Sequence, residues 1–477
     1  MSLCKRLIAR LDIKGNMLIK GVRFEGLRVL GESTNFAKKY AESGVDELLY
    51  IDVVASLYGR NGLVEILKNI SKEVFIPITA GGGIRSVKDA EKLLSAGADK
   101  VVINSAVLEN PNLINELSRA FGRQCVVASI QARKMPDNEM WEALGEGGRE
   151  RSGKKIQSWI SELEERGAGE ILLTSVYKDG TLNGYDSELI EEIPKNLKIP
   201  LIFGGGICSH ENIKECLEKP FISAVSVGKA LHYNKVKIDE VKNAKYTNLN
   251  LRKIDLGKEY KINKPVDQDE KFIAIVDYGM GNTQSLKNAI EILGFKASLT
   301  NNINELEKSS LIALPGVGAF PEGVQRLKDI NLYNYLKNVK KKSKPIFGIC
   351  LGMQLLFEDS EEFEFTKGLS LLKGSIKKLP EKDIESKLLT IPHVGWNKLI
   401  PLFNNYEGYD CSDKYFVHSY SARYCDKKII SHNCIYGGHT LVSAVKENLV
   451  AGCQFHPERS GHDGLFYLKN TILNLIN

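Results

Sequence analysis

Ile76-Pro-Ile-Thr-Ala-Gly-Gly-Gly-Ile84 recurs 123 residues later as Ile199-Pro-Leu-Ile-Phe-Gly-Gly-Gly-Ile207. Each copy is a short apolar run ending in a glycine triplet, the form of a buried strand that turns sharply into a helix. Around the two copies, from Leu7 to Lys242, β-branched runs alternate with amphipathic stretches. Strands are expected at Leu7–Ile13, Leu48–Val53, Phe75–Ala80, Lys100–Asn104, Cys125–Ile130, Glu170–Thr174, Pro200–Phe203 and Ala224–Val227. Eight such βα units predict a (β/α)8 TIM barrel. The repeat spans about half of it, so the two glycine-rich strand ends should face each other across the ring.

Barrel sites form at the C-terminal ends of the strands. Those ends carry Asp12, Asp52, Gly81, Gly82, Gly83, Asn104, Ser105, Gln131, Asp179, Gly180, Gly204, Gly205, Gly206, Gly228 and Lys229. Glycine triplets leading into helices present bare backbone N–H groups, which suit phosphate. Two of them suit a ligand with a phosphate at each end. Asp12 closes the first strand and is a candidate general acid/base.

Residues 243–270 are polar and rich in Lys and Asp, without apolar periodicity, and read as a linker between domains 1–242 and 271–477. Extended, such a segment spans several tens of ångströms, which permits docking within one chain. The βα pattern resumes at Phe272-Ile-Ala-Ile-Val276. In this second α/β domain, Pro345-Ile-Phe-Gly-Ile-Cys-Leu-Gly-Met-Gln354 reads as a strand-to-helix elbow with Cys350 at its apex. The helix dipole there favours thiolate. His456-Pro-Glu458 offers a base and the group that orients it. Together they fit nucleophilic attack on a carboxamide or ester carbonyl.

Bulk composition narrows the classes. The 477 residues exceed one ordinary domain. Apolar content of 43% and charged content of 26% support packed cores. A net charge of +6 suits anionic small molecules, and no basic stripe points to nucleic acid. Nine cysteines without CxxC pairs read as reduced thiols. The start, Met1-Ser-Leu-Cys-Lys-Arg-Leu7, lacks a signal-peptide core, and no apolar run reaches membrane-spanning length. A cytoplasmic protein without membrane partners is expected, and no metal or cofactor motif stands out.

Several motifs carry a family resemblance. Arg10-Leu-Asp-Ile-Lys14, Ile19-Lys-Gly21, Ile51-Asp52, Ala80-Gly-Gly-Gly-Ile84, Asp99-Lys-Val-Val-Ile-Asn104 and Asp179-Gly-Thr-Leu-Asn-Gly-Tyr185 resemble the cyclase subunit of imidazole glycerol phosphate synthase. Asp277-Tyr-Gly-Met-Gly-Asn282, Pro315-Gly-Val-Gly318, Gly348-Ile-Cys-Leu-Gly-Met-Gln354, Phe416-Val-His-Ser-Tyr420 and Gln454-Phe-His-Pro-Glu458 resemble its glutaminase subunit, a class I glutamine amidotransferase. The resemblance implies that Cys350, His456 and Glu458 hydrolyse glutamine, with Gly316, Val317 and Gly318 as oxyanion loop and Gln354 and Glu358 as substrate contacts. It implies that ammonia crosses the barrel to a bisphosphorylated ribulosyl-formimino-carboxamide nucleotide, giving imidazole glycerol phosphate and aminoimidazole carboxamide ribotide. Arg6, Glu47, Lys100 and Glu170 match the ring that gates the tunnel. Asp99 and Arg459 match an ion pair between the domains, with Arg for the usual Lys, and Trp396 matches the docking aromatic.

The barrel departs from the pattern at five positions. Gln131 stands where the family has its second cyclase carboxylate, and glutamine exchanges no proton near neutral pH. Arg10 replaces Cys, Tyr177 replaces Asp, Gly204 replaces Ser, and Lys229 takes a phosphate-site Ser position, where its ammonium can strengthen a phosphate contact. These changes suggest a weakened cyclase or a different acceptor. Relatives of the two subunits supply ammonia for amidination of surface-polysaccharide sugars with a partner synthetase.

Overall fold

The computed structural model describes residues 3–55, 62–137, 139–244, 249–254, 271–402 and 411–477. The eight expected barrel strands are all present: β1 (Arg6–Lys14), β4 (Glu47–Asp52), β5 (Ile78–Gly81), β6 (Lys100–Ile103), β7 (Val126–Lys134), β10 (Glu170–Ser175), β11 (Leu201–Gly204) and β12 (Ala224–Val227). Neighbours pair in parallel, and the β7–β10 and β12–β1 pairings close the ring. The internal repeat extends beyond the glycines. Ser86 caps one helix by accepting the N–H of Asp89, and Ser209, 123 residues on, caps another through Asn212.

Two features lie outside the sequence expectation. The hairpin β2 (Met17–Val22) and β3 (Glu25–Glu32) extends the end of β1, and β8 (Trp141–Gly145) with β9 (Glu150–Lys155) extends β7. Both stand beside the barrel mouth. Part of the expected linker packs on the barrel. Residues 249–254 do not hang free: Lys5 bridges to Leu251, and Arg252 donates to the carbonyls of Gly44 and Val45. Residues 245–248 and 255–270 of the expected linker lie outside the described residues.

Alternation along β1 orders the barrel interior. Arg6 points into a charged layer at the floor, and Ile8 into an apolar layer with Leu49, Val102, Val127, Leu172, Ile202 and Ala224. Arg10 and Asp12 follow toward the mouth.

The second domain is built on an eight-stranded sheet in which Ile346–Ile349 lies between Leu311–Leu314 and Val450–Cys453. Among the described residues no helix is long and apolar enough to cross a membrane.

Candidate active sites

The strand Ile346–Ile349 ends in Cys350 with φ +54° and ψ −109°, and helix Leu351–Leu355 follows at once. The flanking glycines are what let the chain turn so tightly. A Cβ on Gly352 would meet the Leu314 carbonyl at 1.7 Å, and one on Gly348 would meet that of Gly352 at 2.6 Å. Such a strained conformation is kept where its surroundings over-determine it. Cys350, His456 and Glu458 are each 4% exposed. His456 Nδ1–H donates to Glu458 at 2.7 Å, which leaves Nε2 to face the sulfur. Burial alone would lower the imidazole's pKa, but Cys350 and Glu458 outweigh it and hold the pKa well above the ordinary value.

Pro315–Gly318 lies against the elbow. The Leu351 N–H donates to the Gly316 carbonyl at 3.2 Å, so an oxyanion could use this donor only after the Gly316–Val317 peptide turns. Tyr278 donates to the Pro315 carbonyl at 2.7 Å, and Gln124 of the barrel to that of Gly318 at 3.3 Å.

Gln354 is buried beside the elbow and donates to the Tyr420 carbonyl and to Gln454. Glu358 does not join this group. It is exposed and accepts the Gly374 N–H at 2.9 Å. The carboxylate buried here is Glu362, which accepts the Phe320 N–H at 2.8 Å just after Gly318. Burial raises its pKa to about 7. From sequence alone Glu358, Glu361 and Glu362 are alike, and burial is what sets Glu362 apart.

At the barrel floor, Arg6, Glu47, Lys100 and Glu170 are fully buried and form a closed ring. Arg6 meets Glu47 at 2.9 Å and also bonds Glu170; Lys100 meets Glu47 at 2.6 Å and Glu170 at 2.7 Å. Thr79 donates to Glu47. Around this floor the two domains meet. Arg459 bonds Asp99 at 2.9 Å and the Val74 carbonyl at 3.0 Å, and also donates to the Gly97 carbonyl and Ser285. Trp396 donates to the Asp46 carbonyl at 3.2 Å, and Arg252 stacks 4.0 Å above its ring while bonding the Asp46 carboxylate.

At the other end of the barrel, a 260 Å³ cavity is lined by Asp12, Asp52, Gly82, Gly83, Asn104, Ser105, Gln131 and Asp179. A pocket of 20 Å³ beside it is lined by Gly180, Gly205, Gly206 and Lys229, whose ammonium donates to the Gly180 carbonyl at 2.6 Å. Arg10 points inward, 4% exposed, and donates to Asp12 at 2.8 Å and to Thr174 at 3.3 Å. Lys20 bonds the other Asp12 oxygen at 2.6 Å and Asp179 at 2.9 Å. Burial alone would raise the Asp12 pKa, but Arg10 and Lys20 hold it far below the ordinary carboxylate range. Gln131 Oε1 is buried without a hydrogen-bond partner. Among the described residues, no cluster of His, Cys, Asp and Glu could hold a metal.

An elbow cysteine with a His–Glu pair, backed onto the floor of a (β/α)8 barrel, points to a class: a glutamine amidotransferase joined to a cyclase barrel. Comparison with known proteins agrees. Residues 6–237 match the family model "Histidine biosynthesis protein", and residues 274–475 match "Glutamine amidotransferase class-I". The chain is 54% identical over 202 residues to an imidazole glycerol phosphate synthase subunit HisF of Legionella pneumophila, covering 42% of this chain and 95% of that protein. The HisF subunits of Helicobacter hepaticus (43% over 242 residues) and Bacillus cereus strain Q1 (44% over 241) each cover about half of this chain and 95% of their own length. The chain belongs to the imidazole glycerol phosphate synthase family, with the cyclase barrel and the glutaminase fused in that order.

Proposed function

We propose that this chain hydrolyses glutamine at Cys350 and passes the ammonia through the barrel to a phosphorylated acceptor at its mouth. The Cys350 sulfur attacks the carboxamide carbon. His456 takes the thiol proton and returns it to the departing ammonia, and Glu458 holds the imidazole in the required tautomer. Water then releases glutamate from the thioester. The Leu351 N–H and a turned oxyanion loop would stabilise each tetrahedral intermediate. Glu362 is buried beside this site and carries its charge above about pH 7, which suits the α-ammonium of glutamine.

The observation that supports delivery most strongly is the layering under β1. The glutaminase backs onto the charged ring, the apolar layer lies above it, and the mouth cavity lies above that. Neutral ammonia is suited to such an apolar passage. In the family's version of the transfer the acceptor is the bisphosphorylated nucleotide, and ring closure gives imidazole glycerol phosphate.

One observation favours a second reading, in which the same machine serves another acceptor, such as a sugar amidinated with a partner synthetase. Both oxygens of Asp12 are tied to cations, and Gln131 supplies no second carboxylate. The loss of one acid–base group costs about 10²–10⁴ in rate. Growth of a histidine auxotroph lacking the synthase separates the readings. On the first, the chain restores slow growth and Gln131→Asp speeds it. No growth with either protein would transfer the assignment to the second.

A further inference from the structure

One continuous hydrogen-bonded chain crosses the glutaminase domain, and its direction is fixed at every link. Asn397 Nδ2 donates to His393 Nε2 at 3.2 Å and to the Ile435 carbonyl at 2.9 Å. With Nε2 accepting, His393 must carry its proton on Nδ1, and it meets His418 Nε2 at 3.0 Å. His418 must then be protonated on Nδ1, which donates to the Tyr420 carbonyl at 2.8 Å. The same carbonyl accepts Gln354 Nε2 at 3.0 Å, and that amide also donates to Gln454 Oε1 at 3.1 Å. Gln454 thus turns its own Nε2–H toward the Cys350 sulfur, 3.6 Å away.

The members are buried, and the chain starts on the strand that docks onto the barrel. Strand His393–Lys398 holds His393, Trp396 and Asn397, and it pairs with Asp413–His418 so that His393 lies opposite His418. Burial lowers the pKa of His393 far below the ordinary value and that of His418 to about 4, so both stay neutral at working pH and the tautomers do not scramble.

We propose that Asn397, His393 and His418 are positioning residues that orient the Gln354 and Gln454 amides, so that the nucleophile sulfur receives an N–H and not a carbonyl oxygen. This rests on Cys350 being the nucleophile and goes beyond it. A side-chain amide presents a donor or an acceptor according to which way it is turned. Without the Tyr420 carbonyl held in place, Gln354 loses its anchor and Gln454 is free to turn its oxygen to the sulfur. A donor to a charged sulfur favours thiolate over thiol by about 10–100-fold, by the usual strength of hydrogen bonds to charged groups. The lower nucleophilicity of the stabilised thiolate takes back roughly half of that on a logarithmic scale, leaving a net gain of about 3–10-fold.

The test is alkylation of Cys350 by iodoacetamide in the full-length protein, followed by mass spectrometry of the Cys350 peptide, beside kcat for glutamine hydrolysis. His418→Leu removes both ring nitrogens. His418→Asn retains an amide N–H near the Nδ1 position. His418→Leu is expected to slow both alkylation and turnover about 3–10-fold, and His418→Asn to recover most of each. Equal alkylation of wild type and His418→Leu would overturn the proposal, as would faster alkylation or an Asn variant no better than Leu. If wild-type turnover also survives complete alkylation, the nucleophile assignment itself fails, a separate and recognisable result.

Discussion

Replacing Cys350 by alanine is expected to lower glutamine hydrolysis by a factor on the order of 10⁴ or more, the usual consequence of removing a nucleophile that works as a unit with its base. Ammonia-driven transfer at the barrel mouth should persist, because no described side chain there depends on the sulfur. The substitution removes one sulfur from a residue that is already 4% exposed, so the fold should hold. Glutamate release and ammonia-dependent turnover, measured on the same preparation, check both halves. Equal loss of the two activities would argue against separate sites.

Arg459→Ala should have the largest effect on stability. Its guanidinium is fully buried and joins Asp99, two barrel carbonyls and Ser285. Removing it leaves Asp99 buried with, among the described residues, only Asn282 and the Ile78 N–H as hydrogen-bond partners. Breaking a buried ion pair from one side costs about 3–5 kcal/mol. Chemical denaturation followed by fluorescence would show that loss, with Arg459→Lys falling between the two proteins, since an ammonium cannot reproduce the guanidinium fork.

Much of this architecture was legible in residues. The repeated Ile-Pro-x-x-x-Gly-Gly-Gly-Ile segments placed two barrel strands and their turns, and Gly348 and Gly352 marked the elbow because no other residue fits against Leu314 and the following turn. What escaped was whatever depends on side-chain direction. Arg252 lies in a polar run that reads as spacer, yet its guanidinium covers Trp396. Lys20 lies between the first two expected strands, and only the closing of hairpin β2–β3 brings it to Asp12 and Asp179. Glu362 became distinct from Glu358 only through burial. The hairpins β2–β3 and β8–β9 went unseen because charged and glycine residues interrupt their apolar alternation.

The charged ring matters most to how the two halves work together. Four fully buried charges with closed pairing form a floor between the glutaminase and the apolar barrel interior. Its two cations and two anions balance, so no net charge is left in the core. Under the proposed delivery, ammonia would pass only when a pair parts, and the same pairing would hold back ammonium and bulk water.

That delivery is tested most directly by isotope competition. Glutamine labelled with ¹⁵N in the amide is supplied with a large excess of unlabelled ammonium and the family's bisphosphorylated nucleotide, and the transferred nitrogen is read by mass spectrometry. Ammonia that stays inside the protein gives product carrying almost entirely ¹⁵N. Product whose label is diluted to the ratio in bulk solution would contradict internal delivery.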